Sequence, residues 1–420
     1  MSADRHQHAL TPGRERATLL MLGAVQFTHI VDFMIMMPLG SQLMRQFGIS
    51  PAQFSLMVAS YGIAAGATGL LGGFVLDRFD RKRALLSLYA GFGFATLACG
   101  LAPTHHALLL ARVAAGAFGG LAASMVNAMV GDVIPPARRG RAMGIVMSAF
   151  PVASVLGVPI GLRLAALFGW HAPFFMLGGC AAAVFTLASL SLPHLRTAVR
   201  DTHPWRQMWE IVTHGIHLRA FAVSAVLVMA GGCLIPFIAP SMVANMGIAE
   251  DQLWIAYAVG GACTFFTMPL VGRLSDRMDK LHLLAWMSAF AIVVVLVFTR
   301  LGPTRLALAS VMMALFMVTM SSRFAPAMAM VTNAVEARYR GGFMSVSAAM
   351  QQGASALANI LAGLLVTSTP AGQLAGLPRL GYVAIAFFVL AVVLAAQLRA
   401  VAPHVARPGH LPDPLAAPAG

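Results

Sequence analysis

Charged side chains are scarce in this sequence. Of its 420 residues 10% are charged and 59% are hydrophobic, and the mean hydropathy is +0.80. A soluble domain carries about 25% charged residues. A water-soluble fold could not cover so much apolar surface, so the composition predicts an all-α integral membrane protein that crosses the lipid bilayer many times.

Cysteine is also rare, and all four cysteines fall inside apolar runs. They show neither metal-ligand spacing nor the loop pairing of a disulfide framework. No nucleophile motif, histidine-rich metal set or phosphate-binding loop accompanies them. We therefore expect no metal, no cofactor and no enzyme.

Acidic residues are outnumbered by basic ones, which gives a net charge of +14. Such an excess can indicate nucleic acid, but here the basic residues lie in short loops between long apolar runs. Most of them fall on the cytoplasmic side if both chain ends are cytoplasmic. The positive-inside rule favours this topology, and no nucleic-acid partner is expected.

A spanning helix needs about 20 mostly apolar residues. Twelve such spans are predicted, at residues 18–40, 53–76, 84–102, 106–129, 142–166, 172–192, 220–243, 252–273, 282–300, 305–328, 342–367 and 380–398. The longest polar stretch between them divides the chain into six spans and six spans. The predicted organisation is an N-terminal six-helix bundle (1–192), a cytoplasmic linker (193–219), a C-terminal six-helix bundle (220–400) and a disordered cytoplasmic tail (401–420).

The two halves carry the same motifs at the same separation. Gly48-Ile49 with Gln53 recurs as Gly247-Ile248 with Gln252. A second motif, which pairs a glycine with a cluster of acids and bases, also occurs twice: Gly73, Asp77, Arg78, Asp80 and Arg81 recur as Gly272, Asp276, Arg277, Asp279 and Lys280. The repetition predicts two pseudo-symmetric six-helix bundles, with a substrate site between them near the middle of the membrane.

Residues 73–85 resemble the signature loop between helices 2 and 3 of the major facilitator superfamily, with Asp80 where the family usually has glycine. Arg112 and Gly116 resemble the family's helix-4 motif. Gly157, Pro159 and Gly161 partly match the antiporter motif of helix 5, and residues 32–38 resemble the helix-1 motif of twelve-span drug:proton antiporters. The resemblance covers almost the whole chain and suggests the drug and sugar efflux branch.

The resemblance implies a cytoplasmic gate. It would contain Gly73, Asp77, Arg78 and Arg81, together with Asp132 at the end of span 4, and the repeat would add Gly272, Asp276 and Arg277. The alternative is plain positive-inside anchoring. Gly157, Pro159 and Gly161 would form a hinge in span 5, because proline removes a backbone donor, or else a tolerated irregularity.

Asp32 lies alone among apolar residues deep in span 1. A charge at that depth costs about 2.5–3.5 kcal/mol on insertion scales and usually has a partner. Arg112 in span 4 lies at a similar depth, so an Asp32–Arg112 pair is expected, either for proton coupling or as a static ion pair. His29, one helical turn from Asp32, is a candidate proton relay or an ordinary structural histidine.

Other polar and aromatic residues are candidates for the substrate cavity. Arg323 in span 10 has no acid in the neighbouring spans, which favours a water-filled cavity, an anionic ligand group or backbone-carbonyl partners. The remaining cavity candidates are Gln26, Phe33, Met36, Tyr61, Tyr257, Gln351 and Gln352.

These patterns together predict a monomeric secondary transporter in a bacterial-type inner membrane. It would use protons to export small amphipathic or sugar-like compounds. The alternative within transport is uptake or facilitated diffusion of a metabolite. The alternative from another class is a non-transporting receptor or a membrane enzyme, which no motif supports.

Overall fold

The computed structural model describes residues 12–75, 79–135, 138–192, 204–336 and 339–406. For Gly73 only the backbone, inside a helix, is described. Asp77 and Arg78 lie outside the described residues, so their predicted place in a gate has no structural counterpart here.

The described residues of the N-terminal half form helices and the turns between them. They are α1 (Pro12–Ile35), α2 (Gly40–Phe47), α3 (Pro51–Val75), α4 (Arg81–Gly100), α5 (His105–Val133), α6 (Arg139–Met147), α7 (Ala149–Val152), α8 (Val158–Phe168) and α9 (Ala172–Ser191). A wide π-type turn, Ala153–Gly157, joins α7 to α8.

The C-terminal half repeats the pattern. Its helices are α10 (Pro204–Thr213), α11 (Gly215–Gly232), α12 (Ile235–Ala244), α13 (Leu253–Arg277), α14 (Lys280–Phe298), α15 (Leu306–Ser322), α16 (Phe324–Asn333), α17 (Arg340–Leu365) and α18 (Leu377–Val401). A short antiparallel hairpin of β1 (Thr367–Ser368) and β2 (Leu374–Ala375) precedes α18.

Ten helical segments of the described chain are long and apolar enough to cross a membrane. The other two long helices, α3 with 25 residues and α17 with 26, occupy the positions of predicted spans 2 and 11. The helix order therefore agrees with twelve spans in two six-helix bundles. The repeated Gly48 and Gly247 both adopt left-handed backbone, with φ of 60° and 73°, where a side chain would be strained.

Several predicted boundaries differ from the structure. Span 1 is divided at residues 36–39, next to Pro38, and span 10 continues to Asn333 with an interruption at Arg323. Helix α10 lies within the segment predicted to be only a linker. Residues 401–406, predicted to begin a disordered tail, finish α18 and form a turn that buries Val405.

The apolar core is shared at one end of the molecule and divided at the other. At the end carrying Gly48 and Gly247, which the charge rule places outside and which we call the outer end, one cluster joins both halves; Phe54 and Phe237 meet there with ring centroids 6.3 Å apart. Toward the opposite, inner end, an N-terminal cluster around Leu22 and Met129 is separate from a C-terminal cluster around Phe221 and Phe343. In the orientation that the charge rule predicts, a shared outer cluster with separate inner clusters, where Leu70 of α3 reaches the C-terminal one, would be an inward-facing arrangement.

Candidate functional site

The predicted contact between Asp32 and Arg112 is present. Arg112 Nη1 donates to Asp32 Oδ2 at 2.9 Å and to the Asp32 carbonyl at 3.1 Å, and both side chains are completely buried. Helix α1 supplies the acid and α5 the base. Removing one partner of such a buried pair leaves an uncompensated charge, which typically costs about 3–5 kcal/mol.

Two further groups surround this ion pair. The Thr96 hydroxyl of α4 donates to Asp32 Oδ1 at 3.3 Å, so each carboxylate oxygen has a donor. The Tyr61 ring of α3 lies under the guanidinium, with Arg112 Cζ 4.3 Å from the ring centroid. No sequence signal pointed to Thr96, because one threonine in an apolar helix more often bonds to its own backbone.

Two glycines on α5, Gly116 and Gly120, allow Tyr61 to lie against the Arg112 guanidinium. A Cβ on Gly116 would collide with the Tyr61 carbonyl oxygen, and one on Gly120 would collide with that of Ala65. The absence of side chains lets α3 and α5 approach closely along one stripe. The helix-4 motif noted in the sequence, Arg112 with Gly116, therefore joins a buried cation to the packing that places a ring on it.

His29 lies beside this group, but no hydrogen bond joins it to Asp32. Its ring centroid is 5.8 Å from that of Tyr61 and 6.0 Å from that of Phe92. In the part of the chain that the structure describes, neither ring nitrogen has a hydrogen-bond partner, and the same holds for Gln26 Oε1 and the Tyr61 hydroxyl. His29 as a proton relay stays a prediction.

The remaining cavity candidates fall into different surroundings. Met36 is fully buried in the outer core, Tyr257 is buried in α13, and Phe33 is half-buried with its ring 5.5 Å from that of Tyr61. Gln351 donates to the Ser347 hydroxyl at 3.1 Å on the half-buried face of α17. Gln352 lies on the same helix opposite Gly66 of α3. Their contact with a substrate stays a prediction.

Arg323 is almost completely buried in the C-terminal half. Its Nε lies 3.4 Å from the Thr319 carbonyl, its Nη2 lies 3.0 Å from Met320 Sδ, and its Cζ lies 4.1 Å from the centroid of the Phe388 ring. The expected backbone-carbonyl partner is therefore present but distant. No described residue accepts a hydrogen bond from Nη1.

At the inner end, Arg81 Nε donates to Asp132 Oδ2 at 2.9 Å and joins the start of α4 to the end of α5. Both residues belong to the N-terminal half. Asp80, the departure from the family pattern, accepts from the Arg83 N–H at 2.9 Å and caps α4. Asp279 of the repeat caps α14 in the same way and also binds Arg399. The repeated acid is thus a helix cap in both halves.

Span 5 is irregular where the hinge was predicted. The Val158 N–H donates to the Ala153 carbonyl, one residue further back than in an α-helix, and Pro159 has no N–H to donate. Gly157 and Gly161 pack on Val31 and Ile35 of α1. On the other side, a Cβ on Gly261 of α13 would lie 2.7 Å from the Ser154 carbonyl oxygen, so this turn contacts both halves.

The halves are also linked at the outer end by an ion pair that the sequence analysis did not predict. The guanidinium of Arg45 donates to both carboxylate oxygens of Glu250, with Nη2 2.8 Å from Oε2. The hydrogen bond with Glu250 raises the pKa of Arg45. Arg45 lies on α2 and Glu250 on the turn before α13, 205 residues further along the chain, so the sequence carries no signal of their pairing.

A model of the Major Facilitator Superfamily matches residues 22–322 and, in a second match, residues 220–417. The chain belongs to the Major Facilitator Superfamily. Its ten described segments of spanning length fit a multi-pass membrane protein of this family.

The chain spans about half the length of the curated relatives that it matches. The chain is 29% identical over 203 residues to the MFS-type transporter YceJ of Bacillus subtilis, covering 47% of this chain and 52% of the relative. It is 29% identical over 224 residues to a chloramphenicol resistance protein of Streptomyces lividans, covering 51% and 56%. It is 28% identical over 157 residues to a probable sugar efflux transporter of Helicobacter pylori, covering 37% and 40%.

Solved structures share the fold at low identity. A bacterial homolog of the human lysosomal transporter Spinster, in an inward-facing and occupied conformation, has a TM-score of 0.74 at 17% identity and covers 95% of this chain and 99% of its own. The nucleoside transporter NupG has a TM-score of 0.71 at 13% identity, covering 91% and 99%. These likenesses support the fold alone.

Proposed function

We propose that this transporter couples entry of protons to export of small amphipathic or sugar-like compounds, by alternating access between its two six-helix bundles. The observation that carries the proposal is the buried Asp32–Arg112 pair, because Asp32 is the one acidic residue among the described residues whose side chain is buried. Intramembrane ionisable residues are usually functional, and a titratable one can carry a proton across the membrane.

The contacts around Asp32 suggest how coupling works. When Asp32 is ionised, Arg112 and Thr96 both donate to it. A proton arriving at the carboxylate removes the charge that holds Arg112, while the guanidinium itself stays charged. The pair then loosens, and α1 and α5 can shift relative to each other. Release of the proton on the other side restores the pair and resets the transporter.

The relatives support export as the direction. Two of them are named as a chloramphenicol resistance protein and a probable sugar efflux transporter. The alternative, proton-driven uptake or facilitated diffusion, differs in the direction of substrate flow. We further propose a monomer in the inner membrane with both ends cytoplasmic, and bundles at 1–192 and 220–400 joined by 193–219.

The gate and hinge residues have proposed roles in the same cycle. Gly73, Asp77, Arg78, Arg81 and Asp132 would close the inner side in the opposite, outward-facing state. The π-type turn before Pro159 would let span 5 bend as the halves move. The inward-facing arrangement, with Arg81 and Asp132 paired inside one half, is compatible with an open inner side.

The test is efflux from proteoliposomes under an imposed pH gradient, with chloramphenicol as the first probe and a set of small sugars as the second. The wild type should move the probe against the concentration gradient of the probe. Asp32→Asn should abolish uphill transport but retain exchange down a gradient. The matched control is Asp251→Asn, the same change at an exposed acid, which should transport normally. If Asp32→Asn still pumps uphill, the coupling site lies elsewhere.

A further inference from the structure

At Arg323 the regular hydrogen bonding of a spanning helix is interrupted, although the backbone of Arg323 itself stays helical, with φ −72° and ψ −25°. Helix α15 ends at Ser322 and α16 begins at Phe324. The cause is Pro326, which lacks the N–H that would donate to the Ser322 carbonyl. Interrupted helices in transporters are often where ligands bind, because backbone and side-chain polar groups there are not fully used by the helix.

The guanidinium of Arg323 has five N–H donors, and the neighbouring groups offer it only poor acceptors. Nε reaches the Thr319 carbonyl at 3.4 Å, Nη2 reaches the thioether of Met320, and Nη1 has no acceptor among the described residues. A thioether is a weak acceptor. The Phe388 ring beneath the guanidinium attracts it, but a ring does not neutralise the charge as a counter-ion would.

No carboxylate neutralises this charge within the membrane. In the described helices of the C-terminal half, acidic residues occur only near helix ends, and Asp32 of the other half already binds Arg112. A buried cation without a partner is unfavourable inside the bilayer. The described spans therefore contain a paired arginine in one half and an unpaired one in the other.

The repeat shows what the C-terminal half lacks. Asp32 precedes Gly48 by the same number of residues as Gly231 precedes Gly247, so Gly231 stands where the first half has its carboxylate. Gly231 is on α11, and a Cβ built on it would lie 3.5 Å from Met320 Sδ, the atom that Arg323 contacts. The position equivalent to the acid is thus next to the unpaired arginine and has no side chain.

We propose that Arg323 binds the anionic group of the transported compound, which takes the place that Asp32 holds in the first half. The site lies between Gly231 of α11, Met320 of α15 and Phe388 of α18. In the inward-facing arrangement the guanidinium is closed off from solvent, and the anion enters when α16 moves relative to α15. This inference rests on the proposed function: among amphipathic and sugar-like compounds, those that carry a carboxylate or sulfonate should bind more tightly than their neutral analogues.

Binding can be tested without transport, by thermal unfolding of the purified protein in detergent at constant ionic strength. The probes are naphthalene-1-sulfonate, which is permanently anionic, and naphthalene-1-sulfonamide, which has the same ring and no charge. A ligand that binds the folded state raises Tm. The sulfonate should raise the Tm of the wild type and the sulfonamide should not. Arg323→Gln should lose the response, and Arg323→Lys, which lacks the planar fork, should keep a weaker one.

Three controls make the result decisive. Arg379→Gln removes an exposed arginine of the same half and should respond like the wild type. Gly231→Asp supplies a carboxylate from the protein itself; it should raise Tm without ligand and abolish the sulfonate response, and it tests the site even if Arg323→Gln does not fold. Chloride titrated in place of the sulfonate, at the same ionic strength, separates a small inorganic anion from an organic one.

Several outcomes would overturn the proposal. They are an equal Tm rise in Arg323→Gln, an unchanged response in Gly231→Asp, or stabilisation by chloride with none by the sulfonate. Because no proton gradient is used, these outcomes are independent of whether Asp32 couples transport. Uphill export by Asp32→Asn together with a normal sulfonate response would remove the coupling mechanism and leave the anion site standing.

Discussion

Arg45 and Glu250 join the two halves at the outer end through two parallel hydrogen bonds. Arg45 lies on α2, and Glu250 opens the turn before α13, so the pair exists only while the outer ends are close together. The Arg45 side chain is 64% exposed. An exposed pair of this kind contributes about 0.2–1 kcal/mol, which biases the conformational equilibrium without locking it.

We expect Glu250→Gln to shift the population toward the outward-facing state by up to about fivefold, the ratio that corresponds to about 1 kcal/mol. Labelling of a cysteine introduced near the outer end should become faster, and high salt should produce the same shift in the wild type. The exchanged pair Arg45→Glu with Glu250→Arg should restore the slow labelling. Equal rates in all variants would mean that the pair has no part in closing the outer side.

Arg112→Gln should destabilise the folded protein more than the double change Arg112→Gln with Asp32→Asn does. The single variant leaves Asp32 buried without its partner, which costs about 3–5 kcal/mol, whereas the double variant removes both charges. Thermal unfolding in detergent measures the difference. A double variant no more stable than the single one would show that the ion pair does not act as a unit.

Thr96→Val should weaken proton coupling without removing the ion pair. It deletes the second donor to Asp32, and a hydrogen bond to a charged group contributes about 1.5–3 kcal/mol. We expect uphill efflux to fall about tenfold at constant substrate affinity. Thr96→Ser keeps the hydroxyl and should behave like the wild type. A fall caused only by poor folding would appear equally in exchange down a gradient.

Gly116→Ala should destabilise the protein, because its Cβ would collide with the Tyr61 backbone and push α3 away from α5. Overpacking of this kind costs about 1–3 kcal/mol. The control is Gly131→Ala on the same helix, where a Cβ would meet nothing within 4 Å. A lower Tm in the first variant alone would confirm the close approach, and matching Tm values would contradict it.

Arg81→Gln tests the inner cluster. If the Arg81–Asp132 pair holds the ends of α4 and α5 in the geometry that the gate needs, the variant should transport more slowly while reaching the membrane in normal amounts. Arg83→Gln changes a neighbouring base on the same helix and serves as the control. Equal transport rates in the two variants would assign both residues to plain positive-inside anchoring.

The sequence was sufficient for the features that depend on local chemistry. Apolar runs of spanning length, the repeated glycine at Gly48 and Gly247, and the isolated charges Asp32 and Arg112 predicted the twelve-span plan and one contact across 80 residues. Features that depend on two distant surfaces were missed. Neither Thr96 at Asp32 nor Arg45 with Glu250 has a local signal, because each depends on how helices from different parts of the chain meet.

Helix interruptions were predicted only where proline stood in an otherwise regular span. The hinge before Pro159 was expected, whereas the break at Arg323 was not, since Pro326 lay near the assumed end of the span. The same misplaced boundary hid the relation between Arg323 and the residues of α16. Boundaries fail because fraying, kinks and lipid depth change local hydropathy little.

The contacts between the halves near mid-membrane are made by glycines against backbone. Gly62 and Gly66 of α3 face carbonyl oxygens of α17, and Gly261 of α13 faces the turn at Ser154. At these glycine positions the helices of the two halves can shift relative to each other without a rotamer change of a glycine side chain, since glycine has none. The barrier to the conformational change should therefore arise mainly from contacts at the two ends of the molecule. Substitutions there could change the turnover rate while the glycine-lined contacts in the middle stay the same.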